Sequence, residues 1–258
     1  MIQDTRRLFL ALLPTLGIDT VCDIGSMDGA DALAFRRALP HARVVAFEAN
    51  PHNARLMQGD PRLRDQAIDV RAFAVTNFDG EATFHLVKAD YASPNNRRGM
   101  SSLHARSDAS LHAGSVRART TRLDTQLAPG RETRRIALWV DVEGAACEAI
   151  EGAQGLFGEI QLLHVEVETE PCIGASQKLY PELEWRLGRA GFRRLATNHP
   201  PHFDQFNALF VRRDLDARLR TRVGWHAGRL WMRHRLSRAV HRVFSVWSRH
   251  IERPRPAH

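Results

Sequence analysis

Thr20-Val21-Cys22-Asp23-Ile24-Gly25-Ser26-Met27-Asp28-Gly29-Ala30-Asp31-Ala32-Leu33-Ala34-Phe35 opens as a short apolar, β-branched run. It breaks at two glycines with three residues between them and resumes as an Ala/Leu-rich segment of helical spacing. This is the pattern of a strand, a tight turn and a helix. Gly25 and Gly29 let the backbone approach a ligand where a side chain would collide, and the first helical turn aims its free N–H groups at the same place. The next apolar run, Arg43-Val44-Val45-Ala46-Phe47, ends in Glu48, 23 residues after Gly25. That offset suits an acid gripping ribose hydroxyls in a Rossmann-like unit, so the two signals together point to a nucleotide-like cofactor.

Charge narrows the choice of cofactor. A dinucleotide would bring a pyrophosphate to this turn, which carries Asp23, Asp28 and Asp31 and has no lysine or arginine before Arg36. S-adenosylmethionine has no phosphate, carries a sulfonium and an ammonium, and offers the same ribose to Glu48, so acidic neighbours favour it. Asp31 also suits a helix start, whereas Asp23 precedes the helix and calls for another role.

With 258 residues, 43% of them hydrophobic, the chain can bury one sizeable core. Residues 1–212 read as the domain and 213–258 as a helical tail. Arg6-Arg7 ahead of Leu8 to Leu13 imitates a secretory signal, but Pro14 and Gly17 end the apolar run after six residues, with no small-residue cleavage site behind it. This stretch therefore reads as a packing helix. No run approaches the ~18 apolar residues of a membrane span. Cys22, Cys147 and Cys172 show no paired spacing. That suits a reducing cytoplasm, argues against a zinc site and predicts core or near-core thiols.

Further along, residues 50–57 read as a short helix, 69–76 as a third strand and, beyond the Asp79-Gly80 turn, 81–87 as an alternating strand. Residues 88–115 are rich in Ser, Asn, Arg and Gly and too long for a plain connector; near a cofactor such a loop covers substrate. Alternation resumes over 116–122. A buried strand over 136–140 ends in Asp141 and Glu143, Gly144 breaks it, and 145–153 reads as a helix. Residues 162–168 repeat the theme with Glu166 and Glu168. Acids at the carboxyl ends of parallel strands project toward the cofactor crevice, where they can act as bases or metal ligands. Asp141 is expected to face that crevice and Glu168 to face solvent as the polar half of an alternating strand. Residues 177–190 read as an amphipathic helix, and 191–196 with 206–212 as a terminal hairpin.

Asp23-Ile24-Gly25-Ser26-Met27-Asp28-Gly29, Phe47-Glu48-Ala49-Asn50-Pro51, Ser101-Ser102-Leu103, Leu123-Asp124 and Val140-Asp141-Val142-Glu143-Gly144-Ala145 resemble, in this order, the FkbM-type methyltransferases that use S-adenosylmethionine. The resemblance covers roughly residues 18–212, and the Asp-Val-Glu-Gly element is its most specific part. It implies an α/β, Rossmann-like class I methyltransferase fold: a seven-stranded, mostly parallel sheet with a terminal antiparallel hairpin. It also implies O-methylation, often of a sugar hydroxyl in a glycan, glycolipid or natural product. Carried over residue by residue, it implies cofactor contacts at Asp23, Gly25, Ser26, Gly29, Glu48, Ala49 and Ala74, with Asp141 beside the transferring methyl group. Met27 and Asp28 depart from the smaller or amide residues more usual there, which predicts a differently shaped cofactor turn.

Methyl transfer to a hydroxyl requires alignment of oxygen, carbon and sulfur and removal of a proton. Asp141 is the first candidate for base or hydroxyl positioner, and His104 on the long loop the second. No metal is required; the alternative is a Mg²⁺ ion held by Asp141, Glu143 and Glu166 and bridging two sugar hydroxyls. An NAD-dependent oxidoreductase would share the glycines and Glu48 but needs a turn that tolerates phosphate. A non-catalytic nucleic-acid binder would explain the basic balance but not Asp141 and Glu143.

That basic balance is local. The chain carries a net charge of +8, while residues 212–258 hold 13 arginines against Asp214, Asp216 and Glu252. From Leu230 onward, Leu236, Val240, Val243, Phe244, Trp247 and Ile251 recur at helical spacing, with Arg233, Arg235, Arg238, Arg242 and Arg249 at other positions. Residues 225–251, with Trp225, Trp231 and Trp247, thus form a basic amphipathic helix suited to an anionic membrane surface. The same apolar face can instead pack on the domain or pair two copies into a homodimer. No nucleic-acid partner is expected, because no stacking surface or motif accompanies the arginines. The expected location is the cytoplasm, at the inner face of a membrane where the helix binds lipid.

Overall fold

The structure, a computed structural model, describes residues 4–88, 97–128, 134–200, 203–215 and 217–232. In chain order the elements are α1 (Thr5–Thr15), β1 (Thr20–Ile24), α2 (Ala30–Ala38), β2 (Arg43–Phe47), α3 (Pro51–Gly59), α4 (Pro61–Asp65), β3 (Asp69–Arg71), β4 (Ala74–Val75), β5 (Gly80–Val87) and β6 (His112–Thr121). They continue with α5 (Leu123–Leu127), β7 (Ile136–Val140), α6 (Ala146–Glu151), β8 (Ile160–Glu168), α7 (Tyr180–Arg189), β9 (Phe192–Thr197), β10 (Gln205–Arg212) and a last helix, α8, over 217–232.

Seven strands form one sheet in the order β3-β2-β1-β7-β8-β10-β9. The first five of that order are parallel, and β10 runs antiparallel to both β8 and β9. This is the class I methyltransferase arrangement. Strand order turns back at β1 and β7, so a crevice opens beyond their carboxyl ends, where ligands of open α/β sheets bind. Alternation along each central strand divides the core. Cys22, Ile24, Leu138 and Val140 pack toward α6 and α7. Val21, Ala137, Trp139 and Leu162 pack toward α1 and α2.

The N-terminal stretch is a packing helix. Asp4 caps α1 by accepting from the Arg7 N–H at 2.9 Å, and Leu8, Phe9, Leu12 and Leu13 are fully buried. Each such side chain contributes on the order of 1.5–3 kcal/mol. The helix runs through Pro14 to Thr15, and Gly17 then adopts a left-handed conformation, φ +61°.

Several boundaries differ from the sequence reading. Residues 69–76 are not one strand: the chain bends at Ala72-Phe73, so β3 joins the large sheet and β4 joins a separate three-stranded sheet of order β4-β6-β5. Strand β6 begins at His112 rather than Val116 because it pairs along the whole of β5. Helix α7 begins at Tyr180 rather than Gln177; Pro181 sits at its start, and the Gln177 amide is committed to Ile173 and Glu168. Cys22 and Cys147 are buried as expected, but Cys172 is exposed.

The start of the tail also packs on the domain. Val223 and Ala227 of α8 are buried in the same cluster as α1, and His226 Nε2 lies 3.1 Å from Thr15 Oγ1. Leu236, Val240, Val243, Phe244, Trp247 and Ile251, on which the amphipathic reading of 225–251 mostly rests, lie outside the described residues, as do Arg233, Arg235, Arg238, Arg242 and Arg249. Among the described residues no helix is long and apolar enough to cross a membrane.

Among the described residues the core holds one buried histidine. Adjacent strands bring Trp139 and His164 side by side, and their rings stack at 3.6 Å with Phe9 edge-on to both. His164 Nε2 lies 3.0 Å from Thr5 Oγ1, and burial pushes the imidazole pKa down to about 3. Folded, His164 stays neutral; unfolded, it takes up a proton near pH 6.5. Protons therefore favour the unfolded chain between about pH 6.5 and about pH 3, and this residue alone removes roughly 1.4 kcal/mol of stability per pH unit of fall in that window. The variant His164→Phe keeps the ring but cannot titrate. Urea midpoints at about pH 7 and about pH 5 should show wild type losing more stability on acidification than the variant; parallel losses would contradict the assignment.

Candidate active site

The turn after β1 is built on close contact between two strands. Gly25 has φ +86°, and a Cβ there would overlap the carbonyl oxygen of Asp141 at the end of β7. The N–H groups of Gly25 and Ser26 both reach the Phe47 carbonyl at 3.0 Å, and the Asp141 N–H donates to Ile24 at 2.9 Å. The tightness that demands glycine at position 25 is thus against the chain itself, although Gly25 also lines the crevice. Gly29 has a packing role of its own. It caps α2 at φ +77°, a Cβ on it would press on the Leu63 side chain at 2.6 Å, and it lines neither cavity at the site.

Met27 occupies the left-handed region without being glycine, φ +55°, and the turn is shaped around its amide. The Met27 N–H donates to Glu48 Oε2 and the Asn50 N–H donates to Glu48 Oε1, each at 2.7 Å. The buried Glu48 carboxylate is therefore aimed by two backbone amides from different elements. A carboxylate offers about four acceptor positions, so a group held this way can still receive hydroxyls.

Gly25, Met27, Glu48, Ala49, Phe73, Ala74 and Asp141 line one cavity, together with Val142, Ser101 and Leu103. An acidic recess adjoins it, lined by Asp23, Ser26, Asp28, Asp31, Trp139 and Glu143. Gly25, Met27, Gly99 and Asp141 belong to both, so Asp141 stands at the junction. Asp23 has the separate role its position called for. It is buried, accepts from Ser26 Oγ at 2.5 Å, and burial pushes its pKa up to about 8.

Alternation in β7 and β8 brings the remaining acids together. Carboxylate oxygens of Asp141, Glu143 and Glu166 lie within 4.8 Å of one another. Glu143, at φ +51°, is bound through its backbone carbonyl by Ser102 Oγ at 2.5 Å and through its side chain by Arg106 at 2.5 Å. Burial and neighbouring Asp141 still hold Glu143 up to about 7, with Arg106 pulling the other way. Glu166 is pushed up to about 10 by burial and by Asp141, Glu143 and Glu168. Glu168 does not face solvent. Strand β8 has partners on both sides, and Glu168 is 2% exposed, accepting from Gln177 Nε2 at 2.7 Å. Arg106 already supplies Glu143 with the positive charge that an ion held by this set would bring, which speaks against the Mg²⁺ alternative.

His104 is not brought to this junction. Its ring Nδ1 lies 3.3 Å from Ser176 Oγ, a Cβ on Gly174 would meet its own Cβ at 3.0 Å, and its ring lines neither cavity. Burial lowers its pKa. The loop instead contributes Arg106, Ser102 and Gly99. Arg106 is one arginine in an arginine-rich stretch and gave no local signal; Phe73 was hidden inside an apparent strand.

Residues 23–194 match the methyltransferase FkbM domain as a family. The chain belongs to this family. No curated protein matches it. Among solved structures, the FkbM methyltransferase from Methylobacillus flagellatus is similar over 75% of this chain and 43% of its own, at 12% identity and TM-score 0.45. EvdMO1 is similar over 81% of this chain and 40% of its own, at 13% identity and TM-score 0.44. Its N-terminal domain with SAH bound is similar over 82% and 81%, again at 13% and 0.44. This FkbM chain thus spans less than half the length of the first two.

The Arg106 ion pair ties the loop to the end of β7, with both side chains largely buried, 11% and 15% exposed. Removing one partner of such a pair leaves a buried charge uncompensated, at a cost on the order of 3–5 kcal/mol if the charge persists. Glu143 can escape by taking up a proton, so Arg106→Met should cost less than that and release the loop. Limited proteolysis should cut the variant faster than wild type between residues 88 and 112. Equal cutting would show that the ion pair does not hold the loop.

Proposed function

We propose that this FkbM domain is an S-adenosylmethionine-dependent O-methyltransferase acting on a hydroxyl of a sugar in a glycan, glycolipid or natural product. The observation that carries the reading is the junction at Asp141. A cavity with Glu48 for a ribose and Phe73 and Ala74 for a base meets a recess whose walls are carboxylates. Those carboxylates favour a sulfonium and an ammonium and repel a pyrophosphate, which speaks against NAD. When bound, the cofactor supplies an electrophilic methyl group. That methyl group would go to the acceptor hydroxyl oxygen, and Asp141, at the junction of the two cavities, would take the hydroxyl proton. The sugar acceptor is what the FkbM resemblance implies.

Calorimetry with S-adenosylmethionine and with NAD tests the cofactor. Wild type should bind the first and not the second. The variant Glu48→Ala, verified as folded, should bind S-adenosylmethionine more weakly by ~1.5–3 kcal/mol, the scale of hydrogen bonds to a charged group. Unchanged affinity would refute the ribose role.

We also propose that 225–251 attaches the enzyme to an anionic membrane from the cytoplasmic side. Val223 and Ala227 turn inward on α8, while Trp225 is 57% exposed with the Arg229 guanidinium 5.2 Å from its ring centroid, and Met232 is 55% exposed. This leaves a basic, partly apolar outer face on α8 up to Met232. Flotation on anionic vesicles should carry the full chain at low salt, and should fall for a chain ending at Met232, which keeps the buried part of α8. No flotation of the full chain, or equal flotation of both, would overturn the proposal.

A further inference from the structure

Asp141 and Glu166 extend from the ends of adjacent parallel strands, and their carboxylate oxygens, with one of Glu143, lie within 4.8 Å of one another. Two partly buried carboxylates this close cannot both ionise without a large cost, so the pair keeps a proton. Gln205 Nε2, on β10, donates to Glu166 Oε1 at 2.8 Å, which marks that oxygen as an acceptor and leaves the other to carry the proton. Asp141 walls both cavities, whereas Glu166 walls neither. We propose that Asp141 and Glu166 share one proton, held on Glu166, and that Glu166 is a positioning residue whose O–H fixes and keeps ionised the Asp141 carboxylate that faces substrate.

The surroundings agree with that division. Burial raises Asp141, donation from Glu166 lowers it and Asp31 raises it again. Glu166 answers to burial first and then to the charges of Asp141, Glu143 and Glu168, each of which disfavours its ionised form. Asp23 faces Asp141 from β1, and Arg106 offsets Glu143. In the transfer step the hydroxyl proton goes to Asp141, and the pair holds two protons until product leaves. The catalytic consequence rests on the proposed methyl transfer; the shared proton does not.

Infrared difference spectra of the whole protein test the proton directly, with no acceptor needed. Near pH 9, above the values of Asp23 and Glu143 and below that of Glu166, wild type should show a buried carboxylic acid band, and Glu168→Gln, which removes the other raised glutamate, should keep it. The band should vanish in Glu166→Gln. Its persistence in that variant, or its absence from wild type, overturns the proposal. Transfer of label from S-adenosylmethionine into glycan and lipid fractions tests the consequence. Glu166→Gln, which keeps a donor toward Asp141, should retain activity within about tenfold, whereas Asp141→Asn should lose about 10²-fold or more. Glu166→Ala should move the acid limb of the pH profile upward. Equal losses in Glu166→Gln and Glu166→Ala, with no movement of that limb, would reduce Glu166 to a structural role. If wild type transfers no label, the proposed reaction fails, and the infrared arm still decides the proton.

Discussion

The approach of residue 25 to the carbonyl of Asp141 is the constraint on which the site depends. Only a residue without a Cβ, able to adopt φ +86°, lets the end of β1 come so close to the end of β7. That closeness fixes where Asp141 stands, and through the Phe47 carbonyl it also ties the turn to β2, after which Glu48 follows. Three strands are thus brought to one point by a handful of backbone hydrogen bonds. The cofactor turn needs no glycine at position 27, and Met27 accepts a left-handed conformation because its amide is pulled toward Glu48.

Around this frame the protein concentrates negative charge where water is scarce. Asp23, Asp141, Glu166 and Glu168 fall on one face of the sheet because each is an even number of residues from the next in its own strand or lies at matching depth in the neighbouring one. Burying so many acids is unfavourable unless some are protonated or paired. The structure uses both remedies. Glu143 receives Arg106, Glu168 receives Gln177, and Asp23 receives Ser26. Such an accumulation lowers stability at high pH, where raised carboxyls must ionise, and His164 lowers it at acid pH, so the two ends of the range oppose each other. Perturbed acids gathered in a crevice are the mark of a functional site more than of a structural core.

The loop that follows the small sheet completes the site from outside. Ser102 bridges to His85 across the sheet edge and binds the Glu143 carbonyl, while Arg106 binds both the Met100 carbonyl and the Glu143 carboxylate. Loop and strand end are joined by charge and hydrogen bonds. An attachment of that kind is sensitive to protonation, and it links the covering segment to the same acids that surround the junction.

The sequence by itself determined the strand–turn–helix at 20–35, the acid at Glu48, the acids at the end of β7, the terminal hairpin and the N-terminal packing helix. Each of these is written in local periodicity, in glycine placement or in the short range between one element and the next. Only the tertiary structure decided which partners those residues have. Glu168 looked like the solvent side of an alternating strand, and β10 buried it by pairing along β8. His104 shared a loop with Arg106, and the fold brought the arginine to Glu143 and the histidine to Ser176. Gly29 looked like a cofactor contact, and the fold also sets it against the Leu63 side chain. The split of 69–76 into strands of two sheets, which exposes Phe73 to the cavity, has no signature in a run that lacks a glycine or proline to mark the bend. Burial and pairing are set by what folds back from far along the chain, and a local pattern carries no record of that.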